Sequence, residues 1–143
     1  MKRIVFTKPN TAELLEYQLA EPKEQEVQVK LMISTISSGT ERANVMGSTT
    51  VAWNRPEAAE AIFPRYNGYS SAGVITKVGA SVENFAVGDR VALSWSTHCQ
   101  CLNINVRNVH KLDDAISFSD GALAQIATFP LDRKSTRLNS SHP

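Results

Sequence analysis

Three short stretches of this chain carry side chains suited to binding or catalysis: Ser38-Gly39-Thr40-Glu41, Arg65-Tyr66-Asn67-Gly68-Tyr69-Ser70 and His98-Cys99-Gln100-Cys101. The last invites a metal reading. Structural zinc takes four ligands, mostly from cysteine pairs with wider spacing than a single residue. This chain has 2 cysteines, with only Gln100 between them. In a strand their side chains point to opposite faces, which also argues against a mutual disulfide. They read as small, partly buried thiols on a strand, and His98 and His110 as ordinary strand or loop residues. Gly68 to Gly73 has the glycine spacing of a phosphate loop, but Val74-Ile75 follows where Lys-Ser/Thr is needed. No Gly-x-Gly-x-x-Gly links a strand to a helix, and no Gly-x-Ser-x-Gly elbow is present. What remains is a group of hydroxyls, a phenol and one carboxylate. A phenol can donate to a carbonyl oxygen and stabilise the negative charge that develops there.

The elements that must position these groups read as short strands separated by turns, the pattern of a small barrel or sandwich. Ile4 to Phe6 is a first strand, stopped by Lys8-Pro9-Asn10, and Glu13 to Gln18 pairs back as a hairpin. Val27, Val29, Leu31 and Ile33 alternate with Gln28, Lys30 and Met32, the period of a half-buried strand. Ala72 to Val78 is another strand, ended by Gly79-Ala80. Gly88-Asp89 is a turn into a strand over Arg90 to Ser94, and Leu102 to Val106 and Asn108 to Leu112 complete the set. Two helices are expected, over Thr40 to Met46 and Ser117 to Thr128. Ser117 and Asp120 have the spacing of a capping box, in which hydroxyl and carboxylate each accept from a free first-turn N–H. Phe118, Leu123, Ile126 and Ala127 recur near helical spacing. Thr49 to Ala61 is a polar, alanine-containing insertion without an assignment.

Composition narrows the function classes. The 143 residues carry 15 Lys+Arg against 14 Asp+Glu, with no concentrated block of either sign. Neither nucleic acid nor an anionic membrane is an expected partner, because both require a basic face. No apolar run approaches the length of a membrane span, and Ile4 to Phe6 is too short for a secretory signal. Cytoplasmic location is the default expectation.

Phe63 to Leu93, FPRYNGYSSAGVITKVGASVENFAVGDRVAL, resembles the heart of the N-terminal GroES-like catalytic domain of the medium-chain dehydrogenase/reductase family, the zinc-type alcohol dehydrogenases and their zinc-free relatives. In that family a Gly-His-Glu triplet leads into a strand and then a V-G-x-x-V-x-x-F-x-x-G-D-R-V segment. Val78-Gly79, Val82, Phe85 and Gly88-Asp89-Arg90-Val91 match at every spacing. The triplet does not match, since Gly68-Tyr69-Ser70 stands in its place. The family's C-G-[ST]-[DE] turn reads here as Ser38-Gly39-Thr40-Glu41. The resemblance covers most of Met1 to Leu131 and is weakest from Val51 to Ile62.

It implies a mainly β fold with short helices: a GroES-like β-barrel over residues 1–131, without the family's Rossmann domain. In these motifs Ser38 replaces the Cys and Tyr69 the His, two of the family's three metal positions, and Ser70 replaces the Glu that follows the His. Neutral hydroxyls are poor zinc ligands beside thiolate and imidazole, so no catalytic zinc is expected. Thr40 falls where family enzymes carry a hydroxyl that bonds the substrate oxygen. Tyr69 either donates to the reacting carbonyl or fills the space left by the metal. Glu41 either orients its neighbours or caps the short helix. Ser38, Arg65, Asn67 and Ser70 would line the substrate cleft, and Gln125 falls near a third ligand position. The parent enzyme would use NAD(P) to move a hydride to or from a small-molecule carbonyl, alcohol or activated alkene, and could be a homo-oligomer. The alternative is a non-catalytic GroES-like binding or oligomerisation module, but its mark, a mobile loop with apolar contact residues, is not evident.

Asp132 to His142, DRKSTRLNSSH, resembles the translation of a common short-read sequencing adapter. Residues 132–143 are therefore expected to be an artefactual, disordered tail. Without Arg133, Lys134, Arg137 and Asp132 the net charge is −1, from 12 basic against 13 acidic residues, rather than +1. On this reading Met1 to Leu131 is the front of a longer protein, inactive by itself, and the Ser117 helix lacks the partner that covers its apolar side.

Overall fold

The computed structural model describes residues 1–49 and 62–139, with side chains up to Thr128. The Thr49–Ala61 insertion lies almost wholly outside the described residues. Strands β1 (Lys2–Lys8) and β2 (Thr11–Glu16) form an antiparallel hairpin. Asn10 turns it with a φ of 56°, a conformation that asparagine tolerates better than most residues.

The main sheet is antiparallel and five-stranded, in the order β6-β3-β4-β5-β7. Its members are β3 (Glu26–Ser34), β4 (Ser70–Val78), β5 (Arg90–Ser94), β6 (Cys101–Asn105) and β7 (Val109–Lys111). The chain passes from β6 to β7 through a single 3-10 turn, Val106–Asn108. Among the described residues no ladder joins β6 to β7, and the hairpin forms a separate two-stranded sheet. Main-chain bonds from Ile4 N to His98 O (2.9 Å) and Phe6 N to Arg65 O (3.0 Å) tie the hairpin to the loops at the sheet's end.

Val27, Val29, Ile75, Val91, Leu93, Ile104 and Val109 form the core, with Leu31, Val82, Phe85, Leu102 and Val106 packed against it. This explains the spacing of the V-G-x-x-V-x-x-F-x-x-G-D-R-V segment. Val82 and Phe85 roof the core, and Val91 is wholly buried beneath. Gly79 passes so close to the Lys23 carbonyl that no Cβ fits, and Gly88 turns with a φ of +96°. Asp89 accepts from the Ala86 N–H at 3.0 Å and pairs with Lys111 at 3.0 Å. Arg90 donates to the carbonyls of Asp113 (2.9 Å) and Ile116 (2.6 Å) and lies over the Phe118 ring. Each of these residues has a structural task.

The alternation expected along β3 fails at Gln28 and again at Ile33. Gln28 is as buried as its neighbours, its amide bonded by Thr76 (3.1 Å) and Asn103 (3.4 Å), and bulges interrupt the register with β4 between Gln28 and Val29 and between Leu31 and Ile33. A one-residue slip moves the following side chains to the other face, and Met32 and Ile33 are both exposed.

Helix α1 covers Ser38–Val45 and α2 covers Phe118–Asn139. The α2 helix runs beyond Thr128 and continues through residues 132–139. At its start the Ser117 hydroxyl accepts from Asp120 N (3.1 Å) and donates to the Asp120 carboxylate (2.7 Å). The cap therefore forms, although the carboxylate takes the hydroxyl proton rather than a backbone N–H. The face of α2 turned inward is also different from the expected one. Gly121 and Ala122 are buried, with a Cβ on Gly121 falling 2.6 Å from Leu112, whereas Leu123 and Ala127 are exposed. Small residues let this helix lie directly against β4 and β5.

Candidate functional site

The end of the sheet at which β3 finishes and β4 begins gathers three segments: the first turn of α1, residues 65–70, and the turn 95–99. The last two run side by side. His98 N donates to Asn67 O at 2.8 Å, Trp95 N donates to Tyr69 O at 2.7 Å, and Gly68 sits against the Thr97–His98 backbone with a φ of +109°.

At their centre is a buried polar chain. His98 and Glu41 have side chains only 7% and 12% exposed. His98 Nε2 lies 3.1 Å from Glu41 Oε1, and His98 Nδ1 lies 2.8 Å from Ser34 Oγ. An ionised carboxylate can only accept. That assigns a proton to Nε2, while Nδ1 shares a hydrogen bond with the serine hydroxyl. Glu41 Oε2 and Asn67 Nδ2 are buried without a hydrogen-bond partner among the described residues. A second hydroxyl pair, Ser71 Oγ and Ser96 Oγ at 2.7 Å, is buried nearby along β4.

The residues singled out from sequence take distinct places. Ser38 opens α1 and is exposed, while Thr40 is half-buried and accepts from the Ser37 hydroxyl at 3.3 Å. Glu41 reaches His98 rather than a free N–H of its own helix, so it orients a neighbour instead of capping. Asn67 and Tyr69 flank Gly68 in the segment paired with the 95–99 turn, and the Tyr69 and Trp95 rings stand 6.5 Å apart. Arg65 is turned towards the far end of α1, where its guanidinium donates to Asn44 Oδ1 (3.2 Å) and to the carbonyls of Ser48 (3.0 Å) and Ile62 (2.9 Å). Ser70 is buried and its hydroxyl donates to the Ala122 carbonyl, which also accepts from Thr35 at 2.8 Å. Gln125 is half-buried on α2. The structure thus brings Glu41 and Asn67 together around His98, and directs Arg65 and Ser70 to neighbouring helices.

Ser34 is a member that the sequence does not single out, and His98 enters there only beside the two cysteines. His98 reads there as an ordinary loop residue, because its acid partner lies 57 positions away. Cys99 and Cys101 are free thiols, and burial pushes the Cys101 thiol above its ordinary pKa. Among the described residues no three His, Cys, Asp or Glu side chains come together in an arrangement that would hold a metal.

The sequence profile of the alcohol dehydrogenase GroES-like domain matches residues 23–137. The chain belongs to that family. The match agrees with the resemblance to the N-terminal domain of medium-chain dehydrogenase/reductases. Among curated relatives, a quinone oxidoreductase of Salmonella typhimurium is 31% identical over 150 residues, covering 99% of this chain and 43% of that protein. The starvation-sensing protein RspB of Escherichia coli is 31% identical over 134 residues, covering 91% of this chain and 37% of that protein. The crystal structure of Escherichia coli quinone oxidoreductase complexed with NADPH superposes with a TM-score of 0.69 at 26% identity, over 87% of this chain and 37% of that one. The CurK enoyl reductase shares the fold, with a TM-score of 0.73 at 19% identity, over 87% of this chain and 39% of that one. The chain spans about two fifths of the length of the curated relatives it matches. Among the described residues no helix is long and apolar enough to cross a membrane.

Proposed function

We propose that this GroES-like domain is the substrate-side part of a cytoplasmic, NAD(P)-dependent medium-chain oxidoreductase that works without catalytic zinc. The observation that carries the reading is the donor set at two of the metal positions: Ser38 and Tyr69, in a family whose zinc enzymes use thiolate and imidazole there. These residues do not fit the metal. Ser38 lies exposed at the start of α1, and neutral hydroxyls compete poorly for zinc.

Bound nicotinamide would supply or accept the hydride, held by a second domain joined to this one. The reaction class is reduction or oxidation at a carbonyl, an alcohol or an activated alkene such as a quinone. In that reaction Thr40 and Tyr69 hold the substrate oxygen by hydrogen bonds. The Tyr69 phenol donates as negative charge develops on the oxygen, and Glu41 fixes the turn that carries Thr40. Residues 132–143 are read as an adapter-derived addition, into which helix α2 continues as far as Asn139.

The experiment joins the chain to the continuation of its reading frame past codon 131 and follows NAD(P)H oxidation with quinones and conjugated enones. Turnover that survives chelation, and falls at least ~100-fold in Tyr69→Phe, is the expected result for loss of a positioned donor. Tyr69→Phe turning over like the parent would remove the phenol from the reaction. The 143-residue chain by itself should show no saturable NAD(P)H binding by fluorescence.

A further inference from the structure

Helix α1 presents a problem of attachment. It has 8 residues, and none of its side chains is fully buried. A helix this short is marginal by itself, and it has no apolar face to pack. Its position must come from polar contacts, and those present are few. Near its C-terminus Asn10 N donates to Val45 O at 2.7 Å, and Arg65 holds Asn44. In its first turn, beside Thr40, Glu41 reaches His98.

His98 is itself held on four sides. Its N–H donates to Asn67 O (2.8 Å), its carbonyl accepts from Ile4 N (2.9 Å), and its ring meets Ser34 and Glu41. We propose that His98 is a positioning residue: its imidazole, set by Ser34, holds the Glu41 carboxylate and thereby fixes the Thr40 turn of α1 against the Asn67–Tyr69 segment. This hydrogen-bonded clamp then sets the spacing between the two segments that carry the candidate substrate-facing hydroxyls. Its functional consequence rests on the reading of Thr40 and Tyr69 given above, whereas the clamp itself is tested without any turnover.

Removing His98 would strand a buried carboxylate, which is strongly destabilising. Removing Glu41 strands no buried carboxylate and is the gentler cut. The test uses the whole chain labelled with nitrogen-15. The wild-type protein should show a slowly exchanging ring proton on Nε2 of His98, assigned by its loss in His98→Asn. Glu41→Gln, whose side-chain carbonyl accepts the same proton, should keep that signal. Glu41→Ala should lose it and raise amide exchange of Arg42 to Val45 at least tenfold, while the amides of β3 and β4 are unchanged. An unaltered ring proton and unaltered α1 exchange in Glu41→Ala would overturn the proposal. Should Glu41→Ala not fold, Glu41→Gln decides, and absence of the protected ring proton there overturns it equally. An inactive extended enzyme with the clamp intact would count against the oxidoreductase reading and leave the clamp standing.

Discussion

Trp95 donates its N–H to the Tyr69 carbonyl at 2.7 Å, and the two rings stand 6.5 Å apart at a tilt of 46°. Trp95 does so from a left-handed backbone, with a φ of 59°. A side chain in that region costs energy that a glycine does not pay. Trp95 is 52% exposed, so removing its side chain costs only part of a full tryptophan burial. Trp95→Gly should therefore be more stable than Trp95→Ala by about 1 kcal/mol, the reverse of the usual order in a regular element. Chemical denaturation of the two variants measures the difference, and Ala equal to or above Gly would show that the turn carries no strain.

Gly73 and Gly39 make opposite predictions for the same substitution. A Cβ at Gly73 would overlap the Lys30 carbonyl across the β3–β4 ladder, whereas one at Gly39 meets nothing within 4 Å. Gly73→Ala should cost more than ~2 kcal/mol, because the strands must separate to admit the methyl. Gly39→Ala should stabilise by up to about 1 kcal/mol through helix propensity. Urea unfolding midpoints check both, and a tolerant Gly73 would place the β3–β4 pairing elsewhere.

Much of the scaffold is legible in the sequence for a physical reason. The strands are bounded by Gly and Asn turns, and the Val82, Phe85 and Val91 positions report directly on a core they help to close. Their neighbours Asp89 and Arg90 look like site residues by type but serve the turn and the start of α2. The polar site is less legible. A histidine bonded to an acid 57 residues away leaves no local pattern. The bulges in β3 are similarly silent, and they send Ile33 outwards although the alternation places it inside. Helix α2 has apolar residues at helical spacing, yet Gly121 and Ala122 make its contact, because close approach favours small side chains over large ones.

Acid and alkali should act through two different groups. The Ala86 N–H and then Lys111 hold the Asp89 carboxyl below its usual pKa. Its contribution is present above the unfolded carboxyl pKa, about 4, and is lost as pH falls through the lower folded value. Asp89→Asn should flatten the acid limb of the stability profile.

Tyr17 behaves in the opposite sense. Its hydroxyl donates to the Cys101 carbonyl and accepts from Cys101 N at 3.1 Å, and burial pushes its pKa up to about 12. Stability linked to the neutral phenol is full below the unfolded value, about 10, and disappears as pH rises towards the folded one. Tyr17→Phe should flatten that alkaline limb, measured by thermal unfolding across the range. An unchanged slope would mean that the phenol ionises as freely as in the unfolded chain.

The central claim is that hydroxyls have replaced a metal at this site, and the metal content of the protein tests it most directly. The purified chain, given excess zinc and then passed through a desalting column, should retain far less than one zinc per molecule. One zinc held per chain, lost again in Tyr69→Phe or Ser38→Ala, would contradict the account.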